Sequence, residues 1–223
     1  MSAKNKIALS LILTFALVAM AVSATCLIGC KGAGASRPKS EIPKETVKQA
    51  SSAEPTKVKL ETSLGNITIE LDEKAAPITV KNFLMYVEDG YYDGTIFHRV
   101  MPDFLIQAGG FTVDMIHKRT KPPIVSEDGN GLKNDRGTVA MARTGEPNSA
   151  NSQFFINVKN NGNLNKVFKD GSGYAVFGKV IDGMDVVDKI AAVKIAKQQP
   201  YMPATPVMIN KAAVVKDARP EKK

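Results

Sequence analysis

The sequence predicts a mainly β domain, an antiparallel barrel or sandwich with two helices packed against it. Three observations predict this class. Apolar runs of strand length recur along the chain, only two segments show helical periodicity, and 223 residues suffice for one medium domain with a full core, or at most two small ones. Many short strands combined with a few helices are typical of β-barrels and β-sandwiches with helices packed over their open ends.

The first two strands are predicted as a β-hairpin. Residues 58–62 and 67–71 alternate between apolar and polar side chains on either side of a Leu64-Gly65-Asn66 turn. A helix is then predicted to begin at Pro77, since proline suits a first helical turn, and to stop near Gly90. Its apolar positions have helical spacing, namely Val80, Phe83, Leu84 and Val87.

The remaining strands are short, and the second helix precedes the last of them. A β-rich section begins over residues 91–99. Further strands are predicted over residues 104–107, 138–141, 154–157 and 176–181. Residues 184–192 have helical periodicity, and residues 207–215 are predicted as the final strand.

The first thirty residues are predicted to be an export signal. Lys4 and Lys6 precede an apolar run over residues 7–24, which is typical of a secretory signal. The run leads to Leu27-Ile28-Gly29-Cys30, which resembles the lipobox of bacterial lipoproteins, although Ala or Ser is more usual where Ile28 stands. That resemblance implies cleavage before Cys30 and attachment of lipid to it. An uncleaved membrane-spanning helix and an ordinary cleaved signal are the alternatives.

Composition and the lipobox resemblance together predict four segments. They are a signal over residues 1–29, a lipidated cysteine with a disordered tether over 30–56, a globular domain over 57–216 and a disordered tail over 217–223. The tether has too little apolar surface to offset chain entropy. An Asp directly after the lipidated cysteine would favour the inner membrane, but this chain has Lys31 there. By the same resemblance we expect the protein in the cell envelope, lipid-anchored and facing the periplasm, with the outer membrane favoured, or on the outer face of the cell membrane.

Charge and cysteine usage narrow the possible functions. The net charge of +8 falls to +6 without Lys4 and Lys6, and the basic residues are scattered, which disfavours nucleic-acid binding. Both cysteines precede the domain, so neither a disulfide framework nor a cysteine nucleophile is expected there. His98 and His117 are the only histidines, which disfavours a histidine-based metal site, and His98 is expected to be a packed side chain. We expect no cofactor and a monomer.

Three motifs carry the chemistry. The first, FHRVMPDFLIQAGGF over residues 97–111, places an arginine, large apolar groups and an amide within nine residues, with a bend predicted at Pro102. The second combines MARTG over residues 141–145 with NSQFFIN over 151–157, and the third is GYAVFGKV over 173–180. In this order the motifs resemble the signatures of the cyclophilin-type peptidyl-prolyl cis-trans isomerases, over residues 57–215.

That resemblance implies a closed eight-stranded antiparallel β-barrel capped by two α-helices, and an enzyme that accelerates X-Pro bond rotation during folding of exported proteins. It assigns catalysis to Arg99, Phe104 and Gln107. It assigns binding of proline-containing peptide segments to Leu105, Met141, Ala142, Arg143, Gln153, Phe155, Leu164 and Tyr174. The backbone at Arg143 would bind the peptide, and Tyr174 stands where many relatives have His.

The chemistry suits these residue types. Rotation about the bond before proline faces a barrier of about 18–20 kcal/mol, although cis and trans differ by only about 0.5–1 kcal/mol. A catalyst needs no nucleophile and no metal, because it only has to stabilise a twisted amide. A guanidinium aimed at the proline nitrogen binds the twisted state more strongly, since the nitrogen lone pair becomes an acceptor only as the bond twists.

Each residue taken alone also has a structural explanation. Phe155 and Met141 are equally consistent with core positions, Gln107 with a strand edge and Arg99 with a surface ion pair, so the joint pattern carries the assignment.

Asn163 stands where relatives place Trp or Phe, which predicts weak cyclosporin binding. Because of Asn163, a second function stays possible, namely a non-catalytic peptide-binding or chaperone-like lipoprotein. A third possibility, a structural protein of the cell envelope, is supported only by the predicted anchor. Asp103 and Leu105, which replace a usual Gly and Met, are expected to matter little.

Overall fold

The computed structural model describes residues 55–215 and forms them into nine strands, two α-helices and one 3₁₀ turn. The strands are β1 Lys57–Thr62, β2 Gly65–Leu71, β3 Thr95–Ile96, β4 Arg99–Met101, β5 Leu105–Ala108, β6 Thr138–Met141, β7 Phe154–Asn157, β8 Val176–Asp182 and β9 Met208–Val215. The helices are α1 Pro77–Glu88 and α2 Met184–Ala191, and the 3₁₀ turn is Gly162–Asn165. The predicted elements are confirmed, with shifts of one or two residues at several ends, except that the section predicted as β-rich over residues 91–99 begins with a turn and contains only β3 and the start of β4.

All nine strands belong to one antiparallel sheet, in the order β3-β9-β1-β2-β8-β6-β7-β5-β4. The strands at its two ends, β3 and β4, are separated along the chain only by Phe97 and His98. The two ends of the sheet are therefore covalently joined. If β3 and β4 are counted as one interrupted strand, the sheet has the eight strands that were predicted. The mainly β class with two helices is confirmed.

The first hairpin turns one residue earlier than the sequence predicted. Thr62 pairs with Gly65, so Ser63 and Leu64 form the turn. Gly65 has a φ of 134°, and a Cβ there would lie 2.7 Å from a Val186 methyl carbon in α2. Glycine is therefore needed because α2 packs directly on the start of β2, a constraint that comes from tertiary structure.

Helix α1 begins at Pro77 as predicted, but its N-terminus is capped by a distant residue. The carboxylate of Glu127 accepts hydrogen bonds from the backbone N–H groups of Ile78 at 3.0 Å and Thr79 at 2.8 Å. It also accepts one from the Thr79 hydroxyl at 2.6 Å. A negative charge at this position satisfies amide groups that the helix cannot pair and complements the helix dipole.

The main core lies between the sheet and the helices and is rich in aromatic rings. Phe83 of α1 contacts Tyr92, Phe154 and Phe177 with ring centroids 5.1–5.4 Å apart. Val187 and Ile190 of α2 are fully buried in the same cluster. A second, smaller apolar cluster is separate from this core, and it contains Leu105, Ala140, Phe155, Leu164 and Val176.

The alternation of the strands explains the two clusters. Successive side chains of a strand point to opposite faces. Ile106 and Ile156 belong to the main core, whereas their neighbours Leu105 and Phe155 belong to the second cluster. The second cluster therefore lies on the other face of β5, β6 and β7, where the candidate site is found.

Candidate active site

One row of paired residues crosses five strands and defines the site. Arg99 pairs with Gln107, Gln107 with Phe155, Phe155 with Ala140, and Ala140 with Val176. Residues that pair directly across strands lie on the same face. The sheet therefore places the arginine and the amide of the first motif beside Phe155 of the second motif and Val176 of the third.

Arg99 is half-buried and held by the next strand. Its Nη1 donates a hydrogen bond to Oε1 of Gln107 at 3.2 Å, and its Cζ lies 6.0 Å from the centroid of the Tyr201 ring. The ion pairs found within residues 55–215 do not include Arg99. A surface ion pair therefore does not explain this arginine, and its charge stays available beside the apolar patch.

Gln107 is itself oriented by a second amide. Its Nε2 donates to Oε1 of Gln153 at 2.9 Å. Because the amide nitrogen is engaged there, the amide oxygen is directed at Arg99. The backbone oxygen of Gln153 accepts a hydrogen bond from the N–H of Ala142 at 2.9 Å, which ties this position to the end of β6.

The apolar patch has a buried floor and a half-exposed rim. Leu105, Phe155 and Leu164 are 2–5% exposed, whereas Phe104 and Tyr174 are only partly buried. The rings of Phe155 and Tyr174 meet edge to face with centroids 5.3 Å apart. Phe155 is thus both tightly packed and part of the patch, so its core and binding interpretations are compatible.

The structure separates Met141 from the other predicted binding residues. Its side chain is 1% exposed and lies in the main core, because it alternates with Ala140, whose side chain faces the patch. Ala142 is partly buried against the patch. The predicted groove residues therefore approach the site on one face, with the Met141 side chain on the other.

Arg143 borders the patch through an aromatic contact. Its Cζ lies 3.8 Å from the ring centroid of Phe168, which in turn packs 5.3 Å from Tyr174. Such a cation–π contact stabilises a guanidinium without a carboxylate partner. Phe168 was not identified from the sequence, and the only signal was a lone aromatic residue in a segment rich in Asn and Gly.

Leu164 reaches the patch through the 3₁₀ turn, which a buried amide network holds in place. Asn161 Nδ2 donates to the Phe104 carbonyl and to Asn157 Oδ1, both at 2.8 Å. Asn157 Nδ2 donates to Asn134 Oδ1 at 3.1 Å, and Asn134 Nδ2 donates to Asn165 Oδ1 at 3.0 Å. These asparagines could not be found by sequence reasoning, since their partners are distant in the chain.

Two residues that depart from the family pattern, Asp103 and Asn163, can now be located in the structure. Asp103 has a φ of 55°, in the turn that joins β4 to β5, where glycine is favoured and Asp is tolerated. Asn163 is exposed in the 3₁₀ turn beside Leu164.

His98 is packed beside the site rather than displayed in it. Its ring lies 4.7 Å from Phe111, and its Nδ1 is buried without a hydrogen-bond partner. Burial lowers the pKa of His98 to about 4, although hydrogen bonding to Ile96 and Gln153 opposes the shift. The side chain is therefore neutral near pH 7, as expected for a packed histidine.

Residues 55–215 contain no group of three His, Cys, Asp or Glu side chains that could hold a metal ion. Within the same residues no helix is long and apolar enough to cross a membrane.

Comparison with known proteins identifies one family throughout. The family model described as cyclophilin type peptidyl-prolyl cis-trans isomerase/CLD matches residues 57–214. Peptidyl-prolyl cis-trans isomerase A of Dickeya dadantii is 53% identical over 163 residues, which cover 72% of this chain and 85% of that protein. Peptidyl-prolyl cis-trans isomerase B of Escherichia coli is 55% identical over 138 residues, covering 61% and 84%.

A similar solved structure supports the fold. The crystal structure of a Cryptosporidium parvum cyclophilin type peptidyl-prolyl cis-trans isomerase superposes with a TM-score of 0.60 at 28% identity. The match covers 73% of this chain and 99% of that one.

Proposed function

We propose a mechanism for this chain on one premise: it belongs to the cyclophilin-type peptidyl-prolyl cis-trans isomerases. It is therefore an enzyme that catalyses cis-trans isomerisation of the peptide bond before proline, and the isomerase interpretation is favoured over a non-catalytic peptide-binding protein. The apolar patch and the Arg99–Gln107 pair have separate roles in this reaction.

The apolar patch holds the proline ring of the substrate. Leu105, Phe155 and Leu164 form a floor that offers apolar contact without a polar group to satisfy, while Phe104 and Tyr174 line the rim. Fixing the ring allows the chain on the other side of the bond to rotate. The backbone near Ala142 and Arg143, at the end of β6, is where an extended peptide lies.

Arg99 stabilises the twisted amide. As the bond twists, the proline nitrogen regains its lone pair and accepts a hydrogen bond from the guanidinium, which the planar ground state cannot do. Gln107 accepts one N–H of the guanidinium and limits its motion, so that little reorganisation is needed during the reaction. Arginine remains charged at every working pH.

The observation that carries this mechanism is the pairing of Arg99 with Gln107 in the same cross-strand row as Phe155. It puts a guanidinium without a carboxylate partner, within the described residues, next to an apolar floor. Both parts are required, because the floor alone would bind proline without accelerating rotation.

The test is the cis-trans exchange of a short Ala-Pro-Phe peptide, followed by NMR with the full chain in detergent. We expect acceleration by the wild type and loss of about 100-fold or more in Arg99→Ala, since an interaction made only in the transition state is removed. Arg119→Ala, an exposed arginine outside the row, is the matched control and should remain fully active. Equal rates for wild type and Arg99→Ala would refute the proposed role.

We also propose that lipid on Cys30 holds the enzyme in the cell envelope, where it acts on exported proteins. The support is the sequence alone: Lys4 and Lys6 before an apolar run, then Leu27-Ile28-Gly29-Cys30. These residues lie outside the part of the chain that the structure describes. Two or more acyl chains would anchor the protein stably, whereas a single chain would bind reversibly.

Metabolic labelling with an alkyne fatty acid tests the anchor. We expect label in the wild type and none in Cys30→Ser, which should also leave the membrane fraction. Cys26→Ser is the matched control, because it removes the only other cysteine and should keep the label. Label that persists in Cys30→Ser would exclude this attachment site. Fractionation of inner and outer membranes then tests the preference that Lys31 suggests.

A further inference from the structure

We propose that Gly110 is a positioning residue of the isomerase site, because its missing side chain leaves the space that the Gln153 amide occupies. This inference rests on the proposed function, in which Gln107 steadies Arg99. Gly110 touches neither the apolar patch nor the guanidinium. It acts through two amides in succession, Gln153 and then Gln107.

The three atoms nearest to a Cβ added at Gly110 all belong to the Gln153 side chain. A Cβ at this position would lie 2.6 Å from Nε2, 2.7 Å from Cδ and 2.8 Å from Cγ of Gln153. Heavy atoms attract at about 3.5–4.0 Å and repel strongly at such distances. An added methyl group would therefore force the Gln153 amide out of its place.

Gln153 can yield only by moving its side chain. Its backbone is fixed, since its carbonyl accepts the N–H of Ala142 at 2.9 Å and the residue directly precedes β7. Gly110 is buried, and its carbonyl accepts the N–H of Lys118 at 3.0 Å. Both backbones are thus held, and the clash falls on the amide that orients Gln107.

The neighbouring Gly109 shows the contrast. It has a φ of 85°, and a Cβ there would lie 2.8 Å from the Ser152 carbonyl oxygen and 2.9 Å from the Tyr92 ring. Backbone and a fully buried ring cannot move aside, so Gly109 is required by the fold. Gly110 lies outside the left-handed region, and the atoms nearest to an added Cβ belong to a flexible side chain, so alanine is compatible with folding there.

Displacing the Gln153 amide removes the hydrogen bond that orients the Gln107 amide. An amide can rotate by half a turn at little steric cost, and its orientation follows its hydrogen-bond partners. At present Gln107 Nε2 donates to Gln153 Oε1 at 2.9 Å, which leaves Gln107 Oε1 for Arg99. Without Gln153, the amide can turn its NH₂ group toward the guanidinium, and Arg99 loses its acceptor.

A double-mutant cycle tests the proposal on the full chain in detergent. The rate of Ala-Pro-Phe peptide exchange is measured for wild type, Gly110→Ala, Gln153→Ala and the double variant. We expect Gly110→Ala to lower kcat/KM by about 10-fold to 100-fold, because small misplacements of a catalytic group are costly. In the Gln153→Ala background the same change should alter the rate by less than about twofold, since the clash is gone.

Gly129→Ala is the control substitution. No atom lies within 4 Å of a Cβ at Gly129, and its φ is outside the left-handed region. It should keep the wild-type rate. A second readout separates positioning from general damage: the side-chain amide NMR signals of Gln107 should shift in Gly110→Ala and stay unchanged in Gly129→Ala.

Three results would overturn the proposal. They are a wild-type rate in Gly110→Ala, the same loss of rate with and without Gln153, or failure of Gly110→Ala to fold in both backgrounds. Folding only in the Gln153→Ala background would support it, because the clash would then be shown directly. Failure of the proposed function would be seen in a different experiment, as equal exchange rates for wild type and Arg99→Ala. In that case the side-chain amide signals of Gln107 would still show whether Gly110→Ala displaces Gln153.

Discussion

Arg99 and Gln107 face each other across β4 and β5, with Nη1 of the arginine 3.2 Å from Oε1 of the glutamine. They are eight residues apart in the chain, and the turn between them contains Asp103 with a φ of 55°. The left-handed backbone there allows the two short strands to pair directly. The geometry of this pair therefore depends on a tight turn as well as on the two side chains.

The first prediction concerns Gln107. Gln107→Ala leaves Arg99 charged but without the acceptor that holds it, so we expect kcat to fall by about 10-fold to 100-fold with little change in peptide affinity. Exchange rates and peptide titrations by NMR measure the two effects. Asn66→Ala, an exposed amide in β2 and outside the site row, is the matched control. An equal loss of affinity and rate would mean that Gln107 mainly binds substrate.

The second prediction concerns pH. Burial lowers the pKa of His98 from 6.5 to about 4, so between these values the unfolded chain binds a proton that the folded chain does not. Stability should therefore fall as pH decreases from about 6.5 to about 4, by about 3 kcal/mol, and this contribution should level off below pH 4. Urea unfolding at a series of pH values measures the slope.

His98→Phe should flatten this slope, because an apolar ring of similar size packs against Phe111 without titrating. His117→Phe is the control, since His117 is exposed, and it should keep the slope. A wild-type slope in His98→Phe would assign the pH dependence to other groups.

The third prediction concerns the cap of α1. Glu127→Ala removes the carboxylate that accepts hydrogen bonds from Ile78 and Thr79. We expect a loss of about 1–2 kcal/mol in the free energy of unfolding, in the range of lost helix caps and dipole interactions. Glu146→Ala, at an exposed loop position, is the control and should change stability by less than about 0.5 kcal/mol. Equal stabilities for the two variants would show that the cap contributes nothing.

The fourth prediction concerns cyclosporin. Asn163 is exposed in the 3₁₀ turn next to Leu164, where relatives place an aromatic residue. We expect weak binding to the wild type and binding at least about 10-fold tighter in Asn163→Trp, because a large ring adds apolar contact at the rim. Isothermal titration measures both. Lys159→Trp, a substitution at an exposed residue outside the turn, should bind as weakly as the wild type.

The strands and helices followed from local pattern. Helix α1 begins at the predicted Pro77, and outside the section 91–99 the predicted strand boundaries are within two residues of those observed. Periodicity and turn residues are properties of neighbouring residues, so they are visible in a sequence. The hairpin turn was misplaced by one residue, because the position of Gly65 is set by the approach of Val186 from a distant helix.

The site was predicted in part. The motifs identified Arg99, Gln107 and Phe155, and the register then placed them in one row. The motifs also included Met141, whose side chain lies in the core because strand alternation turns it away from the patch. The asparagine network and Phe168 were missed, since their roles depend on partners more than ten residues away or on another loop.

The sequence by itself determined the fold class, the family and the candidate site residues, because these depend on residue type, order and short-range spacing. Only the tertiary structure decided which of them act together. The orientation of the Arg99 guanidinium depends on Gln107, Gln153 and the space at Gly110, which belong to three different parts of the sheet and its loops. Hydrogen bonds and steric exclusion act over a few ångströms, so their partners are fixed only when distant segments have packed together.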